Sequence, residues 1–193
     1  MAGHGQYTAL LDACVLYPRV MPDALMSLAS IGLFAAKWTE EIEREWMSNL
    51  GTNKPQIAHR LEHRRDALRQ AVVDWEVPNM AWQPLVEGLI LPDPKDRHVL
   101  AAAIAGHADC IVTTNLTDFP QDVLDLHGIE AIHPDAFLIN QWDLDELVVL
   151  AAFKRMRSRW INPPVDAEGF AKSMERGGMP WMAQRLREAA ELI

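Results

Sequence analysis

Four acidic side chains occupy positions where chemistry is possible, each bordering an apolar stretch of this 193-residue chain. Asp12 interrupts "ALLDACVLY" (residues 9–17), a run in which an unpaired carboxylate is costly to bury. Glu45 lies in "KWTEEIEREWMSNLG", beside an apolar face marked by Trp38, Ile42 and Trp46. Asp96 opens the helical pattern "KDRHVLAAAIAGHA", where a helix N-terminus supports negative charge. Asp118 ends the three-residue turn that follows the apolar "IVTTN". Each acid has a plainer role to hand: a cap, an arginine partner, a solvated helix face, a turn. Together they suggest more. Carboxylates sharing a cleft repel one another, and a hard divalent cation is the usual remedy. Oxygen ligands without nearby Cys or His spacing favour Mg²⁺ or Mn²⁺ over zinc. Such an ion can bind a phosphodiester, offset its developing charge and acidify a water nucleophile.

The elements that must position these acids follow from hydrophobic pattern. Residues 7–16 are apolar enough for a central parallel strand covered on both faces. Pro18 and Pro22 break the chain, and residues 23–34 carry a helical pattern with Asp23 near its N-cap. Thr39 caps the next amphipathic helix and Gly51 stops it; Pro55 then opens a polar helix to about residue 74. The turn-rich residues 77–94 hold one short strand. A helix over "KDRHVLAAAIAGHA", a strand over "DCIVTTN", a short helix and the strand "IEAIHP" complete an alternation that implies parallel βαβ units. In such a doubly wound sheet, ligands gather outside the carboxyl ends of the strands, where the four acids could converge. Residues 135–193 are helical, broken at "INPPVD" and "RGGMP". The organisation expected is an α/β domain over residues 1–140 and a helical extension over 141–193.

The net charge of −9 falls entirely on residues 1–140, with 10 Lys+Arg against 19 Asp+Glu; residues 141–193 balance at 8 and 8. Binding a polyanion by bulk electrostatics is therefore disfavoured, unless cations and local basic patches offset the acids. Two patches exist. "HRLEHRRDALRQ" puts Arg60 and Arg64 on one helix face, and "KRMRSRW" supplies Lys154 and Arg155 beside Trp160. Either patch could track phosphates or simply face solvent, and Trp160 could stack on a base or anchor a core. Cys14 and Cys110 read as buried, reduced thiols. With no long apolar run and no signal-peptide pattern in "MAGHGQYTALLD", a cytoplasmic protein off the membrane is expected.

The pieces "LLDACVLYP", "AKWTEEIEREWMSNL" and "LPDPKDRHVLAAAIAGHADCIVTTNLTDFP", in that order over about residues 7–135, resemble the PIN-domain family, and within it the VapC-type toxins of bacterial toxin–antitoxin pairs. The resemblance implies a PIN-like three-layer α/β/α sandwich with a central parallel sheet, plus a C-terminal helical extension. It implies a metal-dependent endoribonuclease using Mg²⁺ or Mn²⁺. By motif position its acids are Asp12, Glu45 (six residues after Thr39) and Asp96, with the fourth place at either Asn115 or Asp118. Asp118 is the charged choice, with Asn115 then a ligand or water-positioning amide. Thr113 and Thr114 could orient a carboxylate or contact phosphate, and Arg97 could pair with an acid or with RNA. Asp93 reads as a turn residue and His98 as a capping or core residue. The first motif departs from the family's commoner "DTN" or "DAN": Cys14 stands where a polar residue often hydrogen-bonds within the cluster. Implied partners are an RNA substrate (transfer RNA by family expectation), an antitoxin and a second copy in a homodimer. The competing readings are a PIN-like binding protein without catalysis, and a receiver-like phosphoacceptor module.

Overall fold

The computed structural model describes residues 6–193. Among these residues, four short strands, β1 (Thr8–Leu11), β2 (Ala35–Lys37), β3 (Cys110–Val112) and β4 (Glu130–Ile132), form one parallel sheet in the order β2-β1-β3-β4. Ala9 pairs with both Ala36 and Cys110, so β1 is central. The chain leaves β1 for β2 on one side and later adds β3 on the other. Strand order thus reverses between β1 and β3, and the crevice beyond their carboxyl ends is the switch point of the sheet. The side chains of β3 and of Ala9, Leu10 and Leu11 are wholly buried, as a parallel sheet covered on both faces requires.

Among the described residues, eleven α-helices surround and extend this sheet: α1 (Ala13–Leu16), α2 (Val20–Ala29), α3 (Glu40–Asn53), α4 (Leu61–Ala71), α5 (Asn79–Trp82), α6 (Arg97–Ala105), α7 (Gln121–Leu124), α8 (Pro134–Leu144), α9 (Glu146–Ser158), α10 (Ala167–Arg176) and α11 (Pro180–Glu188). The expected α/β/α architecture with a helical C-terminus is present. Several local expectations are corrected. The strand expected over residues 7–16 ends at Leu11, because Asp12 accepts the Ala13 N–H and caps α1. The helix expected over 23–34 begins at Val20, with Pro22 tolerated in its first turn, where no backbone donor is needed. Thr39 caps α3 as expected, but Gly51 does not stop it, and the helix runs to Asn53. The polar helix after Pro55 starts as a 3-10 turn and ends at Ala71. Residues 77–94 hold no strand; Glu76 instead bridges Trp38 beside the sheet, and α5 and two 3-10 turns follow. Expectations touching residues 1–5 lie outside the described residues.

The C-terminal helices share the core, with Phe153, Phe170, Met174, Met182 and Leu186 wholly buried. α8 runs unbroken through residue 140. Its Asp135, 2% exposed, accepts the N–H of Trp181 at 2.8 Å and of Met182 at 2.9 Å. α11 has no cap of its own in sequence and borrows this one from α8. Asp23 of α2 takes Arg159 at 2.6 Å and the Trp160 indole at 3.1 Å, so Trp160 is an anchor. Asp135→Ala is expected to cost about 1–3 kcal/mol in urea unfolding, because it strands two donors, one of them buried. Asp135→Asn, which keeps one acceptor, should lose about half as much.

Candidate active site

Asp12 stands at the carboxyl end of β1 and is 6% exposed. Its Oδ1 accepts the Ala13 N–H at 2.6 Å, and its Oδ2 accepts the Thr113 hydroxyl at 2.7 Å and the Cys14 thiol at 3.0 Å. Three of roughly four lone-pair positions are thereby filled, and one on Oδ1 remains. Burial raises the Asp12 pKa, the Thr113 and Cys14 hydrogen bonds oppose the rise, and the Glu45 charge adds to it. Cys14, half-buried rather than buried, receives the Thr114 N–H at 3.2 Å and contacts Thr113 Oγ1 at 3.3 Å. Burial pushes its thiol up to about 11, so it stays protonated and serves as a donor. The polar role that a Cys seemed to vacate is thus filled by the thiol. Thr113 also accepts the Asn115 N–H at 3.0 Å, and its own bond to Asp12 ties the end of β3 to the end of β1.

The acids of α3 separate by partner. Glu43, 2% exposed, takes the Trp38 indole at 2.9 Å and both Nε (2.9 and 3.2 Å) and Nη2 of Arg69. Arg69 also lies 4.5 Å over the Trp75 ring. Glu41 pairs with Arg44, and Glu40 lies 3.5 Å from Arg69. Glu45 contacts none of these cations; its Oε2 is 3.4 Å from His98 Nε2. His98, read as a core or cap residue, therefore faces the acidic rim. Its place two residues after Asp96 was the available signal.

Asp96 precedes α6, and Asp93 caps the preceding turn by accepting the Lys95 N–H at 2.9 Å. Burial raises Asp96 to about 6, and the charges of Asp12, Asp118, Asp93 and Glu45 all add to the rise. Asp12, Asp118, Asp93 and Glu45 thus lie near enough to Asp96 for their charges to act on it. Asp118 is half-buried in a 3-10 turn after β3; Asn115 and Thr114 are exposed beside it. Arg97 is half-buried with its Nε unpartnered. Among the described residues, no three His, Cys, Asp or Glu side chains already stand close enough to grip a metal ion. The donor set is all oxygen and repulsive, which suits a hard cation in chemistry, and the side chains have to close to hold it.

The basic candidates divide. Arg64 is committed to the fold: its Nη2 donates to the carbonyls of Leu16 (2.6 Å) and Pro18, and its guanidinium lies 5.1 Å over Trp46. Burial, with Arg19 nearby, lowers it to about 10. It braces α1 against α3, the two elements that carry Asp12 and Glu45. Lys154 donates to the Leu192 carbonyl at 3.0 Å. Arg60 and Arg155 are exposed.

With this geometry in view, comparison with known proteins gives a consistent answer. The family model described as PIN domain matches residues 8–117, more than half of the chain, and the model described as VapC50 C-terminal domain matches residues 134–188. A Mycobacterium tuberculosis protein named "Putative ribonuclease VapC50" is 51% identical over 70 residues, which cover 36% of this chain and 41% of that protein. No solved structure matches.

Proposed function

The chain belongs to the PIN-domain family, and on that footing we propose that it is an endoribonuclease dependent on Mg²⁺ or Mn²⁺, acting as the toxin of a type II toxin–antitoxin pair. One observation carries the reading: burial, joined by the charges of four neighbouring carboxylates, raises Asp96 to about 6. In the proposed site Asp12, Asp96, Asp118 and Glu45 hold the cation. When bound, it supplies positive charge to the phosphodiester and acidifies a water. Thr113, Cys14 and the Ala13 N–H fix the Asp12 carboxylate, so it need not reorganise when substrate arrives. Asn115 and Thr114 offer neutral polar contacts at the rim, and Arg97, Arg60 and Arg155 offer positive ones to the RNA backbone. In-line hydrolysis leaves a 3′-hydroxyl and a 5′-phosphate. The resemblance to VapC-type proteins supports an antitoxin partner, a homodimer, transfer RNA as substrate and a cytoplasmic location. No helix among the described residues is long and apolar enough to cross a membrane. The extension over 141–193 is proposed as a buttress for the nuclease domain over 1–140.

Cleavage of RNA by the purified protein is expected to need Mn²⁺ or Mg²⁺, to stop with chelator and to return on metal addition. The pH dependence has a definite sign. Without metal, Asp96 holds its proton up to about 6, whereas a cation binds the ionised form. The rise in melting temperature on adding Mn²⁺ should therefore grow from about pH 5 to about pH 7. Chelator-resistant cleavage, or a metal effect flat across that range, overturns the reading.

A further inference from the structure

We infer that His98 is a positioning residue for Glu45, its Nε2 set against that carboxylate so that Glu45 meets the acidic rim in a fixed orientation; this rests on the metal-dependent reading above. Two glutamates two positions apart on α3 are treated differently. Glu43 is held by both arms of Arg69, which cancels its charge. Glu45 faces the imidazole of His98 at 3.4 Å instead. A guanidinium there would neutralise the charge that a cation requires. An imidazole N–H can orient the carboxylate without a guanidinium's permanent, bidentate charge.

The ring's own surroundings choose the tautomer. Nδ1 is buried without a partner. A buried N–H lacking an acceptor is costly, so Nε2, the nitrogen that faces Glu45, is the better-placed donor of the ring. The ring is also held in place. Its side chain is 15% exposed and lies against Trp82, centroids 6.1 Å apart. Trp82 is in turn buried and donates to Asn79 at 3.2 Å. At 3.4 Å the two groups are within reach but not aligned as a hydrogen bond, and a reorientation of the Glu45 carboxylate would align them, as catalytic contacts often tighten on loading. Because His98 lies one residue into α6 and Asp96 immediately precedes that helix, one rigid element sets Asp96 and steers Glu45.

The test uses the full chain with Mn²⁺ alone, titrated calorimetrically, alongside cleavage kinetics and thermal melting. His98→Met keeps the side chain's bulk and removes the donor; His98→Gln keeps an N–H. His98→Met is expected to weaken Mn²⁺ affinity by about 10- to 100-fold and to lower kcat more than it changes KM. His98→Gln should recover most of both. Mn²⁺ affinity in His98→Met within about twofold of wild type, or His98→Gln as weak as His98→Met, overturns the inference. Asp12→Asn separates the two readings. If it abolishes Mn²⁺ binding while His98→Met leaves it intact, only the role of His98 falls; a wild type that takes no Mn²⁺ overturns the metal site and this inference together.

Discussion

Asp12→Asn is expected to lower RNA cleavage by about 10²–10³-fold while raising the melting temperature of the metal-free protein. The two effects share a cause. The Asp12 carboxylate sits at 6% exposure, and burial raises its pKa from 3.8. A group that binds its proton more tightly when folded weakens the fold as pH rises, beginning at the unfolded-state value. Asparagine does not ionise and escapes that penalty, although one of the three hydrogen bonds to Asp12 has the wrong polarity for an amide. The stabilising effect should therefore be small near pH 4 and grow toward neutrality. Melting curves of both proteins with chelator, taken across that range, measure it; cleavage assays with Mn²⁺ measure the loss. An Asp12→Asn protein that cuts RNA at the wild-type rate removes Asp12 from the site.

Arg69→Ala has the largest expected effect on stability, about 3–5 kcal/mol, or on the order of 10 °C in melting temperature. Glu43 is 2% exposed, and after truncation of Arg69 its remaining side-chain donor is the Trp38 indole. The loss is mainly the cost of an uncompensated buried charge, not the net strength of the pair. The double variant Glu43→Gln/Arg69→Ala tests that account. Glutamine still accepts from Trp38 and carries no charge, so it should regain much of what Arg69→Ala loses. If Arg69→Ala melts within a degree or two of wild type, the pair does not brace α3, and the contrast between Glu43 and Glu45 loses its basis.

The parallel sheet and the helical C-terminus were legible because they rest on strong signals: unbroken apolar runs for β1 and β3, and long amphipathic patterns bounded by Pro and Gly. Boundaries failed where a side chain outvoted the pattern. Nothing in the apolar character of residues 13–16 announces that Asp12 caps a helix by accepting the Ala13 N–H, nor that Thr113, about a hundred residues away, holds the same carboxylate. The apolar residues of 77–94 pattern as a strand but pack from α5 and 3-10 turns, of which Trp82 and Leu89 are examples. The acids' order in sequence pointed to one rim. Which glutamate of α3 keeps its charge did not appear there, because Glu43 and Glu45 differ only in what α4 and α6 bring to them. Arg64 misled for the same reason: its charge and spacing suit a solvated stripe, whereas the carbonyls of Leu16 and Pro18 occupy it.

Asp135 and Phe137 lie in the first turns of α8, and Phe137 meets Phe34 edge-on at 4.8 Å just ahead of β2. Both rings are shut away from water. The last sixty residues are therefore no detachable passenger: the sheet's outer strand leans on the same helix that fastens α11. Any change that loosens α8 would therefore be felt as a softer floor beneath β2, so the tail and the sheet should lose stability together.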